Sequence, residues 1–225
     1  MVSGPRASVN RRDWRIASVT LTACRAAAYG DAMNRDGPRL DVQTRRWTRR
    51  EYGRLIETGI LHEDEPIELI EGRLIVAEPQ NTPHAKAIEL AAEALRVAFG
   101  PGWRIRVQLP IALGPDSEPE PDVSVVAGSP RDDRADHPSR PALVLEVADT
   151  SVRLDRGVKA RVYARGGIPE YWIVNLVARV VEVYRHPRRR ADRHARYATV
   201  TIARPGESVR PLEASRSVAV GDLLP

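Results

Sequence analysis

Hydrophobic and polar positions change rhythm at Trp47. Residues 1–43 hold no sustained period of 2 or 3.6 and are broken by Gly, Pro, Asn and Asp, which reads as a flexible arm. Beyond it, Tyr52, Leu55 and Ile56 make an i, i+3, i+4 stripe ahead of Gly59. Thr48, with Glu51 three residues on, supplies a capping box, so a short amphipathic helix is expected. IELIEGRLIVAE at 67–78 sets two β-prone runs on either side of Glu71-Gly72 and predicts a hairpin. Ile88, Ala91, Ala92 and Leu95 fall on one stripe within 84–99 and predict a long helix. Three strands are expected at WRIRVQLPIAL (103–113), PDVSVVA (121–127) and ALVLEVAD (142–149), separated by Pro, Gly and Asp clusters. Ser151 opens a second helix over 152–166, with Val152, Val158, Val162 and Tyr163 to pack and Gly166-Gly167 to stop it. EYWIVN (170–175), RVVEVYR (179–185) and RYATVTIA (196–203) predict further strands, the last two forming a hairpin around an Arg-rich loop. Helix, hairpin, helix, three strands, helix and strands in that order predict an α/β fold with a mixed sheet and at least one crossover helix.

At 225 residues the chain accommodates one domain, expected at 44–205, with the arm at 1–43 and a C-terminal tail at 206–225. Hydrophobic residues at 42% and charged residues at 29% exclude wholesale disorder, a collagen-like repeat and a coiled coil. No apolar run approaches the roughly 18 residues needed to cross a bilayer, so no membrane partner is expected. Cys24 is the single cysteine, which excludes an intramolecular disulfide and a cysteine-based zinc site. With no secretory signal at the start, a cytoplasmic location is expected. Charge is unevenly placed. Residues 1–46 hold nine Arg against four Asp, while 47–225 balance at 26 against 26, so the net +5 belongs to the arm. Arg185–Arg196 nevertheless concentrates six Arg against one Asp.

Candidate chemistry gathers at strand ends. Pro121 precedes Asp122 at the start of a strand, and Glu146 interrupts the otherwise apolar ALVLEVAD. Burying an unpaired carboxylate costs several kcal/mol, so Glu146 calls for a partner, and a cation bridging two carboxylates would serve. Lys159 is the third member. Asp155, Lys159 and Tyr163 are spaced i, i+4, i+8 on the following helix and line one face. The chain has 33 Arg and only two Lys, Lys86 and Lys159. A compact, rotatable ammonium can approach a water and a phosphate where a guanidinium cannot.

The pair Pro121-Asp122, Glu146 in the next apolar strand and a lysine in the next helix resemble the PD-(D/E)XK nuclease superfamily. From Trp47 to Tyr184 the chain resembles the Uma-type bacterial family of restriction endonucleases. The matching pieces are IELIEGRL (67–74), His84 at a loop-to-helix junction, PDVSVV (121–126), LVLEVADTS (143–151), DRGVKARVYARGGIPEYWIVN (155–175) and VVEVYR (180–185). The superfamily's common pattern puts its Lys two residues after the Glu, where this chain has Ala148, so the resemblance requires Lys159 to reach the site from the helix. It implies a restriction-endonuclease-like mixed central sheet flanked by helices, with an N-terminal helix-hairpin extension. The implied activity is a divalent-metal-dependent endonuclease cutting phosphodiester bonds. Mg²⁺ or Mn²⁺ would be held by Asp122, Glu146 and the Val147 carbonyl, with Lys159 orienting the attacking water. Glu68 is implied as an extra carboxylate and His84 as an acid/base or outer-shell group. The implied partner is nucleic acid, DNA first, and homodimers would form through strands near Tyr171 and Tyr184. Two alternatives stand beside this: a non-catalytic nucleic-acid-binding or interaction protein retaining the scaffold, and a hydrolase of small phosphate esters.

Overall fold

The computed structural model describes residues 44–62, 64–77, 79–132, 136–188 and 195–225. The expected basic arm at 1–43 and the tip of the Arg-rich loop at 189–194 lie outside them. Thr44–Pro225 form one compact unit.

Helix α1 (Arg49–Glu57) begins as its sequence predicts: the Thr48 side chain accepts from the Glu51 N–H and the Glu51 carboxylate accepts from the Thr48 N–H. The hairpin follows. Strands β1 (Ile67–Ile70) and β2 (Arg73–Val76) pair antiparallel around Glu71-Gly72, both with positive φ, the two-residue turn that matches strand twist. At Gly72 a Cβ would lie 2.7 Å from the Arg46 Cβ, so the turn needs glycine for space as well as for φ. Helix α2 (Thr82–Phe99) starts two residues before the expected 84, because the Asn81 side chain accepts from the His84 N–H and Pro83 suits the first turn.

A six-stranded mixed sheet carries the fold, in the order β3-β4-β5-β6-β7-β8. Its members are β3 (Trp103–Val107), β4 (Val123–Ala127), β5 (Leu143–Ala148), β6 (Glu170–Asn175), β7 (Val180–Arg188) and β8 (Arg196–Ala203). All neighbours are antiparallel except β5 and β6, which run parallel across the helical crossover between them. That crossover runs through α3 (Val152–Leu154), a π-helical turn at Asp155–Lys159 and α4 (Ala160–Gly166), and Gly167 in the left-handed region ends it.

Three expectations are corrected. The strand expected over 103–113 stops at Val107, since Gln108 takes a positive φ and Pro110 has no N–H to donate. The strands expected to join two copies are interior to the sheet and Tyr171 and Tyr184 are buried, so they offer no edge for pairing. The segment read as a tail is part of the core. It forms a small sheet, β9 (Ser208–Val209) with β10 (Val218–Ala219), and a 3-10 turn at Val220–Leu223, burying Val218, Val220 and Leu223 with α2.

The sheet thus separates two cores. On one side α2 and the C-terminal segment meet Leu143, Leu145 and Val147 of β5, with Val123, Val125 and Trp172. On the other, α4 meets Val144 and Ala148 of the same strand, with Tyr163, Ile168, Tyr171 and Ile173. Strand alternation puts Glu146 on this second side.

Candidate active site

Strand β5 is buried at all six positions, so Glu146 is enclosed by its neighbours and only 2% exposed. The β4–β5 register pairs Val123 with Leu145; carried one residue further, it sets Asp122 across from Glu146. Two main-chain bonds tie this end together: Val147 N–H donates to Asp122 Oδ2 at 2.7 Å, and Asp122 N–H reaches Glu146 Oε2 at 3.4 Å. The sequence places a Pro before Asp122, and the strand begins just beyond it, which leaves the carboxylate at a strand end rather than inside the ladder.

From the helix side, Lys159 Nζ donates to Glu146 Oε1 at 3.0 Å and to Glu68 Oε1 at 3.4 Å. Tyr163 OH donates to the same Glu146 Oε1 at 2.5 Å. Asp155 is also buried and accepts from the Ser151 hydroxyl at 2.6 Å. The π-helical turn has a physical signature in the Ala160 N–H, which bonds back five residues to the Asp155 carbonyl. Such turns insert one residue into a helix and recur at functional sites.

The hairpin and α2 supply the remaining walls. The hairpin is clamped to α4 by Arg161, whose Nε and Nη2 bond the two Glu71 carboxylate oxygens at 3.0 and 2.8 Å. That clamp brings Glu68, on β1, to the ammonium. His84, in the first turn of α2, reaches the end of β5: its Nε2 lies 2.8 Å from the Val147 carbonyl and 3.6 Å from Asp122 Oδ2. A carbonyl can only accept, so Nε2 carries the proton and donates to it. Among the described residues, Glu68 Oε2, His84 Nδ1 and the Ser124 hydroxyl are buried with no hydrogen-bond partner.

Four carboxyl groups therefore surround one ammonium. Burial pushes the Asp122 pKa well up, and the neighbouring Glu146 charge pushes it further. Burial also raises Glu68, against the pull of Lys159. Asp155 is raised to about 7 by burial and then by Glu146, with Lys159 opposing. Burial alone would lower Lys159; the charges of Glu146, Glu68 and Asp155 outweigh it and raise the pKa, so the side chain stays an ammonium across the neutral range. This excess of buried carboxylate over ammonium suits a hard divalent cation, which favours oxygen ligands. Among the described residues no three His, Cys, Asp or Glu side chains form a ready metal cluster. A cation here would rest on Asp122, Glu146 and the Val147 carbonyl, two side chains and one main-chain oxygen.

All six expected site residues, Asp122, Glu146, Val147, Lys159, Glu68 and His84, are brought together at the ends of β4 and β5. Sequence reasoning placed Tyr163 in the core; it is buried there, yet its hydroxyl ends on Glu146. The signal was available in the i, i+4, i+8 spacing that put it on the face of Lys159.

Comparison with known proteins follows the same line. Residues 49–220 match the model of the Uma2 family, described as "Putative restriction endonuclease". No curated protein matches the chain. A solved structure from Anabaena variabilis, described as a "putative nuclease belonging to DUF820", has the same fold: TM-score 0.58 at 20% identity, over 75% of this chain and 96% of that one.

Proposed function

The chain belongs to the Uma2 family, and from that membership we propose that it is a divalent-metal-dependent nuclease hydrolysing nucleic-acid phosphodiester bonds, DNA first. The observation that carries this reading is the meeting of Asp122, Glu146 and the Lys159 ammonium at one buried spot between β4, β5 and the crossover helix.

Asp122, Glu146 and the Val147 carbonyl would hold a Mg²⁺ or Mn²⁺ ion, which would supply Lewis-acid chemistry at the phosphate. Tyr163 and Lys159 both bond Glu146 Oε1 and so fix the carboxylate's rotation, turning Oε2 toward Asp122. His84 donates to one lone pair of the Val147 carbonyl and leaves the second free, an outer-shell role in which it orients ligands. A lysine held protonated is a donor and a positive charge rather than a general base. Lys159 accordingly orients the attacking water and offsets negative charge building on the phosphorus oxygens in the transition state. Glu68, the second acceptor of Nζ, keeps the ammonium pointed into the site.

Nicking of supercoiled plasmid by purified protein in Mg²⁺, Mn²⁺ or EDTA tests the reading, beside the Asp122→Asn and Lys159→Ala variants. Metal-dependent cutting that both variants lose is the expected result. Cutting that survives in Asp122→Asn, or no cutting of duplex, single-stranded DNA or RNA by the wild type, overturns it.

A further inference from the structure

On the flank of the crossover helix away from Lys159 lies a second feature that the catalytic reading leaves unused. A cleft of about 270 Å³ opens between the helix and the β7–β8 hairpin. Arg156 and Arg161 stand on its helix wall, Arg196 on the strand wall, and the rings of Tyr184 and Tyr197 form its floor.

The chemistry of this cleft is that of an anion site over a floor of buried tyrosine rings. Arg156 is held by Glu182 through Nε and Nη2, and Arg161 by Glu71 through the same two nitrogens, so each guanidinium is fixed in place while its Nη1 edge stays outside the pair. A guanidinium held this way loses little further freedom on binding phosphate. The strand wall carries a repulsion: the β7–β8 register sets Arg188 directly opposite Arg196, both exposed, and like charges facing each other across strands are destabilising. An anion lying between them would relieve it. At the helix wall Gly157 leaves the backbone bare, and a Cβ built there meets nothing within 4 Å. That opening lets a ligand approach the helix closely.

We propose that this cleft binds a backbone phosphate of the nucleic acid strand, flanking the one to be cut. The inference rests on the nuclease reading of the neighbouring site. A helix with its side chains is about 10–12 Å across, so a cleft on its flank lies within about one helix width of Lys159. A duplex strand carries a phosphate for every 3.4 Å or so of axis, which puts one within that span. The helix would then address two consecutive parts of one strand, Lys159 on one side and the arginine cleft on the other.

The test is fluorescence anisotropy of a short fluorescein-labelled oligonucleotide, as single strand and as duplex, titrated with the full chain in EDTA and in Mg²⁺ at several salt concentrations. The variants are Gly157→Leu, which fills the cleft from a position with room for it, and Arg196→Glu. Gly157→Ala and Arg216→Glu serve as controls, the latter an equal charge change on the far side of the sheet, where the Arg216 N–H bonds the end of α2. Gly157→Leu and Arg196→Glu are each expected to weaken binding about tenfold, and Arg196→Glu to lower the slope of log affinity against log salt by about 1. Both controls keep wild-type affinity. If the wild type cuts plasmid but Gly157→Leu and Arg196→Glu bind as it does, the cleft assignment alone is overturned. Tight binding of inorganic phosphate or a mononucleotide at the cleft, with oligonucleotide affinity unchanged in the variants, also overturns it in favour of a small-anion site. A wild type that neither binds nor cuts any oligonucleotide overturns the nuclease reading and the cleft with it.

Discussion

The two faces of the sheet are made from the same strands and do different work. Toward α2, strand β5 presents Leu143, Leu145 and Val147, and they join an apolar cluster; a buried carboxylate on the Trp172 face of β6, Glu170, is paired there with Arg185 and the Trp172 indole. Toward α4, β5 presents Val144, Glu146 and Ala148, and that side holds Glu68, Asp122, Asp155, Lys159 and Tyr163 as well. Alternation with a period of two is what allows one strand to serve both. The dry face gains free energy from burial, at about 25 cal/mol per Å² of apolar surface. The charged face spends some of it, because crowded buried carboxylates resist ionisation. Along β5, packing and chemistry are separated by the parity of residue numbers within one strand, not by distance along the chain.

The sharpest way to break this division is on the charged face. Glu146→Gln should lower nicking on the order of 10³-fold, measured as single-turnover plasmid cleavage, while leaving the unfolding midpoint in urea close to wild type. Lys159 keeps Glu68 and Asp155 as counter-charges in that variant, so little of the fold depends on the lost one. A large loss of stability would show that the two faces are not separable. Leu145→Ala, its neighbour on the dry face, should do the reverse: about 2–5 kcal/mol of stability lost in urea unfolding, with unchanged cleavage per folded molecule. Tyr163→Phe sits between them. It removes one hydrogen bond to a charged group, so about 1.5–3 kcal/mol is at stake. Nicking should fall by a modest factor as Glu146 loses one of the two donors that fix its rotation, and a pH–rate profile separates this from simple unfolding.

The smallest expected effect is on pH dependence without metal. The folded-state pKa of Asp155 is raised to about 7 from an ordinary 3.8. The native state then holds a proton that the unfolded chain has released, and stability falls as pH rises through that window. Thermal midpoints in EDTA should therefore decline from pH 5 to pH 7.5, and Mg²⁺ should flatten the decline. A midpoint that climbs over that range would show that the Lys159 ammonium already balances the carboxylates.

Much of this architecture is legible in the sequence, for reasons that differ by element. The Thr48–Glu51 capping box and the Glu71-Gly72 turn are local, and each is decided by residues within four positions of one another. Glu146 stands out because an apolar strand tolerates a carboxylate only with a partner. Other features depend on contacts that the sequence does not adjoin. Val218, Val220 and Leu223 are scattered among polar and small residues with no period, and they are buried because α2 happens to lie over them. Tyr163 has the right spacing for the site, but the same spacing serves core packing, and only the 2.5 Å contact with Glu146 decides between them. The π-helical turn is equally silent, since one extra residue in a helix leaves the apolar pattern around it readable as plain α-helix.

That turn also gives the crossover helix a residue in reserve. A π-helical turn holds one residue more than ordinary winding needs, so a deletion at Gly157, which presses on nothing, would close the segment into plain α-helix with the stretches on either side still in phase. Asp155 and Lys159 would then stand three positions apart instead of four, still neighbours on one face. Where the winding is already α, the loss of one residue turns everything beyond it by about 100°. A gene shortened by a single codon is therefore absorbed at this place and not one turn further along the same helix.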